Sequence, residues 1–146
     1  MFNDSTRNML ANMGVGLRVD RPAAALVNAT TPFFTVTGVV QITGLFGLIT
    51  VVSGANLCSW SATPTAGTAA SLCADLDINP ALVGDLLGIT GVVATAMTYG
   101  GGVVGMMQPL LVTAGVINFI AAAADGSISA HCFFLPMSDD ANVVIA

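Results

Sequence analysis

The sequence predicts an all-β protein, a small antiparallel β-sandwich or barrel with an extended N-terminal arm. Three observations predict this fold: uncharged runs rich in β-branched residues, apolar and polar residues that alternate with a period of two, and recurrent turn signals. A chain of 146 residues has room for one core. We therefore assign residues 1–30 to the arm and residues 31–146 to the sandwich or barrel domain.

The uncharged run FFTVTGVVQITGLFGLITVV, residues 33–52, is long enough to cross a bilayer as a helix. Eleven of its residues are β-branched and three are glycines, which favours strands. We expect one strand at about 33–43 and a second at about 46–53, with the bend at Gly44 and Gly47. No Lys or Arg flanks the later uncharged run, residues 86–124, which also argues against membrane helices.

Further strands follow downstream. Residues 72–78, LCADLDI, alternate between apolar and polar positions, and VVIA at residues 143–146 predicts a short closing strand. Residues 115–123 and 128–135 flank Asp125 and Gly126, a pair typical of a hairpin turn, so we expect these two strands to pair with each other. The stretch ALVGDLL, residues 81–87, is read as a single helical turn.

The first 30 residues differ in character from the rest. DSTRNMLANM predicts a short helix capped by Asp4 or Ser5, with three apolar side chains on one side: Met9, Leu10 and Met13. Residues 17–32 are expected to be an extended arm, because Pro22 and Pro32 disfavour a helix.

All three arginines, Arg7, Arg18 and Arg21, lie in the arm, and the chain has no lysine. The net charge is −5, which argues against nucleic-acid binding, since nucleic-acid binders concentrate positive charge on one face. An arm with all the positive charge of an acidic protein is expected either to dock onto an acidic neighbour or to be a partly disordered terminus.

Apolar residues make up 55% of the chain and charged residues only 8%, against about 25% charged in ordinary soluble domains. A surface with so few charges exposes apolar patches, which usually mark interfaces. We therefore expect the chain to bury much of its surface against other subunits. Met106 and Met107 are expected to pack at a contact.

One stretch resembles a nucleotide-binding motif. GGGVVG, residues 100–105, matches G-x-G-x-x-G, and Asp125 follows about twenty residues later. The motif requires a helix that begins at the glycines, yet Pro109 follows four residues after Gly105 and no βαβ pattern surrounds it. We interpret this stretch as a loop and expect no cofactor.

Three acidic residues, Asp75, Asp77 and Asp85, invite comparison with an oxygen-rich cation site. No D-x-D-x-D-G loop is present and the chain has no glutamate, so we interpret them as a solvated face and expect no metal site.

The cysteines and the single histidine do not form a catalytic pattern. His131 and Cys132 are adjacent on a predicted strand and so point to opposite faces. Cys58 and Cys73 are read as small buried apolar residues, and no spacing matches a C-x-x-C motif. We therefore predict no catalytic, cofactor-binding or metal-binding residue, and no enzyme activity.

Four segments resemble small virion proteins of tailed bacteriophages in order and spacing: FFTVTGVVQITGLFGLITVV, ATPTAGTAASLCADLDI, LLGITG and AGVINFIAAAADGSISAHCFFLPMSDDANVVIA. The closest functional description is a capsid cement, or decoration, protein. The resemblance covers residues 31–146, with one departure near the end, where Ala141 stands at a position usually occupied by glycine.

The resemblance implies an all-β structural protein of the virion. It implies that the chain binds the major capsid protein on the capsid exterior, that it assembles with itself, and that it stabilises the head. A homotrimer is expected, since closed symmetry is the rule for homo-oligomers and capsids offer three-fold sites. Two alternatives remain open: a small membrane-active protein, holin-like or pore-forming, and a barrel that binds a small apolar ligand.

Overall fold

The computed structural model describes residues 5–6 and 16–146. Within residues 16–146 every element of regular structure is a β-strand. The strands are β1 (Leu17–Ala25), β2 (Ala29–Thr37), β3 (Val40–Val51), β4 (Leu57–Pro64), β5 (Ala70–Ser71), β6 (Leu76–Asp77), β7 (Leu86–Gly88), β8 (Thr98–Gly100), β9 (Leu110–Val112), β10 (Gly115–Ala121), β11 (Ser127–Pro136) and β12 (Asn142–Ile145).

The strands form two six-stranded antiparallel sheets that pack together as a sandwich. The first sheet has the order β1-β11-β3-β7-β8, with β9 also paired to β3. The second has the order β12-β2-β10-β4-β5, with β6 also paired to β4. The prediction of an all-β antiparallel fold is confirmed, and the architecture is the sandwich rather than the barrel.

The run at residues 33–52 forms strands, but its bend lies elsewhere than predicted. The chain turns at Gly38, which has a φ of +66°, and crosses there from β2 in the second sheet to β3 in the first. Gly44 and Gly47 lie inside β3, where they allow close packing instead of a bend: a Cβ on Gly44 would lie 3.2 Å from Phe133. Within the described ranges, no helix has the length and hydropathy needed to cross a membrane.

The hairpin predicted around Asp125 and Gly126 is wrong in its pairing, although both strands exist. β10 pairs with β2 and β4 in the second sheet, whereas β11 pairs with β1 and β3 in the first. The connection therefore crosses between the sheets. Gly126 has a φ of +88° and its carbonyl accepts a hydrogen bond from Leu26 N, while Asp125 Oδ2 accepts one from Gly54 N at 2.7 Å.

The boundary predicted at residue 30 is also wrong, because β1 is part of the first sheet from Leu17 onwards. β1 lies at the edge of that sheet, and its register shifts between Arg21 and Ala24, which accommodates Pro22. Its two arginines therefore belong to the sandwich. Of the first fifteen residues only Ser5 and Thr6 are described, and both have helical backbone geometry. The predicted apolar face of that helix, Met9, Leu10 and Met13, lies outside the described residues.

Smaller elements are partly as predicted. The closing strand is present as β12. Residues 72–78 form only the short strand β6 and an isolated bridge at Ala74. The stretch 81–87 is a turn rather than a helical turn: Asp85 N donates to Leu82 O, and β7 begins at Leu86.

Aromatic side chains fill the space between the sheets. Phe33, Trp60 and Phe119 are almost fully buried, with the Phe33 and Phe119 rings stacked at 5.4 Å and the Trp60 ring edge-on to Phe119 at 4.9 Å. Arg21 extends from β1 over this cluster, with its guanidinium carbon 4.0 Å from the Phe33 ring centroid. This cation–π contact joins the edge of the first sheet to the core of the second.

Truncation of this cluster should strongly destabilise the fold. We expect Phe119→Ala to lower the free energy of unfolding by about 3–5 kcal/mol, because it removes a buried ring and leaves a cavity. The measurement is urea-induced unfolding followed by Trp60 fluorescence. Val103→Ala, at a position that is 80% exposed, is the control and should change stability by less than about 0.5 kcal/mol. Equal losses in both variants would contradict the assigned core.

Candidate functional site

An apolar groove of about 480 Å³ lies on the outer face of the first sheet. Phe133 forms part of its wall and alternates along β11 with the buried residues Cys132 and Phe134, so its ring points away from the core. Phe46 of β3 stacks on Phe133 with ring centroids 6.2 Å apart. The full lining comprises Thr43, Gly44, Leu45, Phe46, Leu86, Gly88, Ile89, Val104, Gly105, Met106, Met107 and Phe133.

Glycines create this groove. Gly44 has no side chain where β3 passes Phe133, and a Cβ on Gly88 of β7 would lie 2.8 Å from Thr98 Oγ1 and 3.5 Å from Val104. The loop after β8, residues 101–109, can therefore approach the sheet closely. Because these glycines come from separate strands, only the folded sheet brings them together.

Two methionines of that loop have opposite environments. Met107 is 9% exposed and joins the core, whereas Met106 is 86% exposed beside the groove. The loop is held where Gln108 N donates to Thr90 O at 2.8 Å. Met107 packs within the chain, and the packing of Met106 at a contact stays a prediction.

A buried carboxylate fixes the strands next to the groove. Asp85 precedes the lining residue Leu86, and its Oδ2 accepts hydrogen bonds from the Tyr99 hydroxyl and, at 2.8 Å, from Leu82 N. These hydrogen bonds, chiefly the one from Tyr99, hold the pKa of Asp85 below its ordinary value. The same interaction raises the pKa of Tyr99. The pair ties β8 to the turn before β7 and so positions one wall of the groove.

A polar strip borders the groove on its other side. His131 stacks on Phe46 with ring centroids 4.9 Å apart, and its Nδ1 lies 2.7 Å from Asp20 Oδ1. Asp20 also pairs with Arg18, whose Nε lies 3.0 Å from Oδ2. The outer face therefore changes from charged on β1 to apolar at β3 and β7. His131, the single histidine, is therefore paired with the carboxylate of Asp20. Cys132 lies on the opposite, buried face of β11.

The acidic residues considered as a cation site have separate structural roles. Asp77 Oδ1 accepts hydrogen bonds from Asn56 N and Asn79 N, and Asp85 caps the turn described above. Asp75 is exposed. Among the described residues, no group of three or more His, Cys, Asp or Glu side chains is placed to hold a metal ion.

The glycine-rich stretch at residues 100–105 closes a turn rather than opening a helix. Gly102 N donates to Gly100 O at 2.9 Å, and the following residues reach β9 without regular structure. Asp125 is engaged by Gly54 N between the two sheets, as described above. The structure does not combine these residues into a nucleotide site.

Sequence reasoning did not predict the groove. The available signals were the glycines at 44, 88 and 105 and the adjacent residues Met106 and Met107, but none of these specifies which strands are neighbours. No protein-family model, curated protein or solved structure matches the chain. The groove and its borders are therefore interpreted from their own geometry.

The Asp85–Tyr99 hydrogen bond predicts a specific pH dependence of stability. Because the folded-state pKa of Asp85 lies below its unfolded value of about 3.9, its contribution is complete above about pH 5 and is lost as the pH falls through the folded pKa. We expect Tyr99→Phe to lower the urea midpoint of unfolding at neutral pH. The difference in midpoint between the variant and the wild type should become smaller in acid. A difference in midpoint that stays constant across the pH range would contradict this role of the Asp85–Tyr99 hydrogen bond.

The three cysteines should be inert in the folded chain. All are buried, and desolvation raises the pKa of Cys58 and Cys132 to about 12 and also raises that of Cys73. Since the thiolate is the reactive form, we expect no alkylation by iodoacetamide under native conditions and three modifications per chain in guanidinium chloride. Mass spectrometry counts the adducts. Rapid native modification would show that the sandwich opens readily.

Proposed function

We propose that the chain is a capsid cement, or decoration, protein of a tailed bacteriophage. It assembles with itself, as a homotrimer, on the capsid exterior, binds the major capsid protein and stabilises the head without catalysing a reaction. The sequence resemblance over residues 31–146 supports this proposal, and the all-β sandwich agrees with what that resemblance implies.

The observation that carries the proposal is the amount of apolar surface left exposed by a complete core. Among the described residues, fifteen large apolar side chains are at least 40% exposed: Val27, Val51, Val52, Leu57, Leu82, Val83, Val92, Val93, Tyr99, Val103, Met106, Leu111, Met137, Val144 and Ile145. The accessible area of 7187 Å² is ordinary for a chain of this size. The unusual property is therefore the number of large apolar side chains on this surface. Such surfaces are typical of chains that are buried in assemblies.

Four of these fifteen side chains lie at one end of the sandwich. Val51 and Val52 end β3, and the backbone of Ser53 bridges to that of Ala81, which brings the exposed Val83 to the same end. We call Val51, Val52, Leu82 and Val83 the end patch. An apolar end on a rigid body is suited to contact with a neighbouring capsomer, because its burial needs no rearrangement.

Two of the three arginines have partners within the sandwich, which differs from the prediction of a basic arm that docks onto an acidic neighbour. Arg18 is paired with Asp20, and Arg21 lies over Phe33, so both are used within the sandwich. Only Arg7 precedes β1. Shell contact in this proposal is therefore mainly apolar and should withstand high salt, since screening weakens interactions between charges rather than apolar burial.

The test is binding to heads that lack the chain. Purified protein is mixed with such heads, pelleted and quantified in the pellet, at low and high salt. We expect saturable binding that salt does not reverse and that Val83→Asp weakens at least tenfold. Thr68→Asp adds the same charge at an exposed loop position outside the end patch and is the matched control.

Three results would contradict the proposal. The first is the absence of the protein from intact virions produced by the same cells. The second is no binding to heads by the wild-type chain. The third is recovery of the protein with membranes that only detergent releases, which would favour the membrane-active alternative.

A further inference from the structure

We propose that the outer face of the first sheet is the surface through which copies of this chain meet, with Met106 of one copy inserted in the groove of the next. The inference rests on the part of the proposed function in which the chain assembles with itself. It adds the surface that makes this contact and the side chain that anchors it. The end patch, which the proposed function assigns to the shell, takes no part in the contact.

The centre of this outer face is apolar. Residues directly opposite each other on paired strands point to the same side of a sheet, so the outward direction of Phe133 identifies its neighbours across β3 and β7. The charged residues Arg18 and Asp20 lie on β1, at the edge of the sheet, and pair with each other. The apolar side chains of the three central strands on this side are Phe46, Leu48, Leu86, Phe133 and Leu135.

The corresponding face of the second sheet is polar at its centre. Asn118 of β10 lies opposite Ser61 of β4 and next to Phe119, which points into the core, so Asn118 and Ser61 point outward. The amide nitrogen of Asn118 donates to Ser61 Oγ at 3.4 Å and to Thr63 Oγ1 at 3.0 Å. The two outer faces therefore differ in chemistry. The first has the aromatic and methionine side chains that are enriched in protein interfaces.

The most exposed apolar side chains project beside the groove of the first sheet. Among the described large apolar residues the three highest exposures are those of Met106 at 86%, Val103 at 80% and Leu111 at 69%. Met106 and Val103 lie on the loop that follows β8, and Leu111 lies on β9, which pairs with β3. The backbone bond from Gln108 to Thr90 holds the loop in place, so Met106 projects from a fixed base.

Met106 and the groove are complementary, but they lie side by side on one chain. Because Met106 is almost fully exposed, it does not fill the groove of its own chain. Phe46 and Phe133 line the groove, and methionine sulfur packs well against aromatic rings. A copy rotated about an axis close to the groove presents its Met106 to this groove, and repetition of that contact closes a ring of identical subunits. This self-complementarity favours a second copy over an unrelated partner.

The size of the face is sufficient for a stable contact. Five strands about 4.8 Å apart give a width of about 19 Å, and the twelve residues of β3 give a length of about 40 Å. The face therefore has an area on the order of 700 Å², close to the roughly 800 Å² that each partner contributes to a stable protein interface.

The first test is sedimentation equilibrium of the full-length chain with Met106→Asp. We expect this variant to raise the chain concentration at which half of the oligomer has dissociated by at least tenfold, because a carboxylate would be buried against the groove rings. Val144→Asp is the matched control. It makes the same type of change at a position that is 48% exposed on the outer side of the second sheet, and it should leave that concentration unchanged.

Equal dissociation of Met106→Asp and the wild type would overturn the inference, as would an effect of Val144→Asp as large as that of Met106→Asp. A wild-type chain that stays single and carries an extractable apolar molecule would also overturn it, because the groove would then be a ligand site. Urea unfolding of each variant checks that the sandwich is intact.

The second test is disulfide formation between different chains. Unlabelled chain with Met106→Cys is mixed with nitrogen-15-labelled chain with Leu86→Cys, a position that lines the groove, then dissociated by dilution, concentrated and oxidised. We expect a crosslinked pair of one light and one heavy chain, identified by its intact mass after denaturation. A mixture in which Val144→Cys replaces Leu86→Cys is the control and should yield at least tenfold less. Equal yields in the two mixtures would overturn the inference.

Head binding is measured separately, so the inference and the proposed function can fail independently. Dissociation by Met106→Asp supports the inference even if the wild-type chain does not bind heads. Conversely, head binding that depends on Val83 supports the proposed function even if Met106→Asp leaves the oligomer intact, and in that case the inference is wrong.

Discussion

The packing of the two sheets against each other is the constraint on which the rest of the structure depends. The chain crosses between the sheets seven times, among them at Gly38 and between β10 and β11, so neither sheet can be completed without the other. Phe33, Trp60 and Phe119 fill the interface, and Arg21 extends the contact to the edge of the first sheet. Asp125 and Gly126 fix the crossing between β10 and β11 through hydrogen bonds from Gly54 N and Leu26 N.

This packing also explains why so much apolar surface remains outside. A two-layer core of this size accommodates the inward residues of each strand, but 55% of the chain is apolar, which exceeds what the core can hold. The remaining apolar side chains lie in loops, at strand ends and on outer sheet faces, where the end patch and the groove form. Their placement on a rigid framework means that a partner can bury them at little conformational cost.

The sequence was sufficient to predict strands but not their partners. The apolar run at residues 128–135 predicted β11 correctly, because one face of that strand is buried whichever neighbours it has. The Asp125–Gly126 signal is local: it indicates a reversal of the chain and does not specify whether the next strand joins the same sheet. For the same reason Gly44 and Gly47 resembled bends, whereas their role depends on Phe133 and Ile128, about 85 residues away along the chain. The groove combines such long-range effects from three strands and a loop, which places it beyond single-sequence reasoning.

The proposed function holds that exposed apolar side chains outside the end patch form an interface between copies of this chain, and sedimentation equilibrium of the purified protein without detergent tests this central claim most directly. The claim predicts a single species of three times the 14.7 kDa chain mass, which persists at high salt because its contacts are apolar. A mass of one chain at every concentration examined would contradict it.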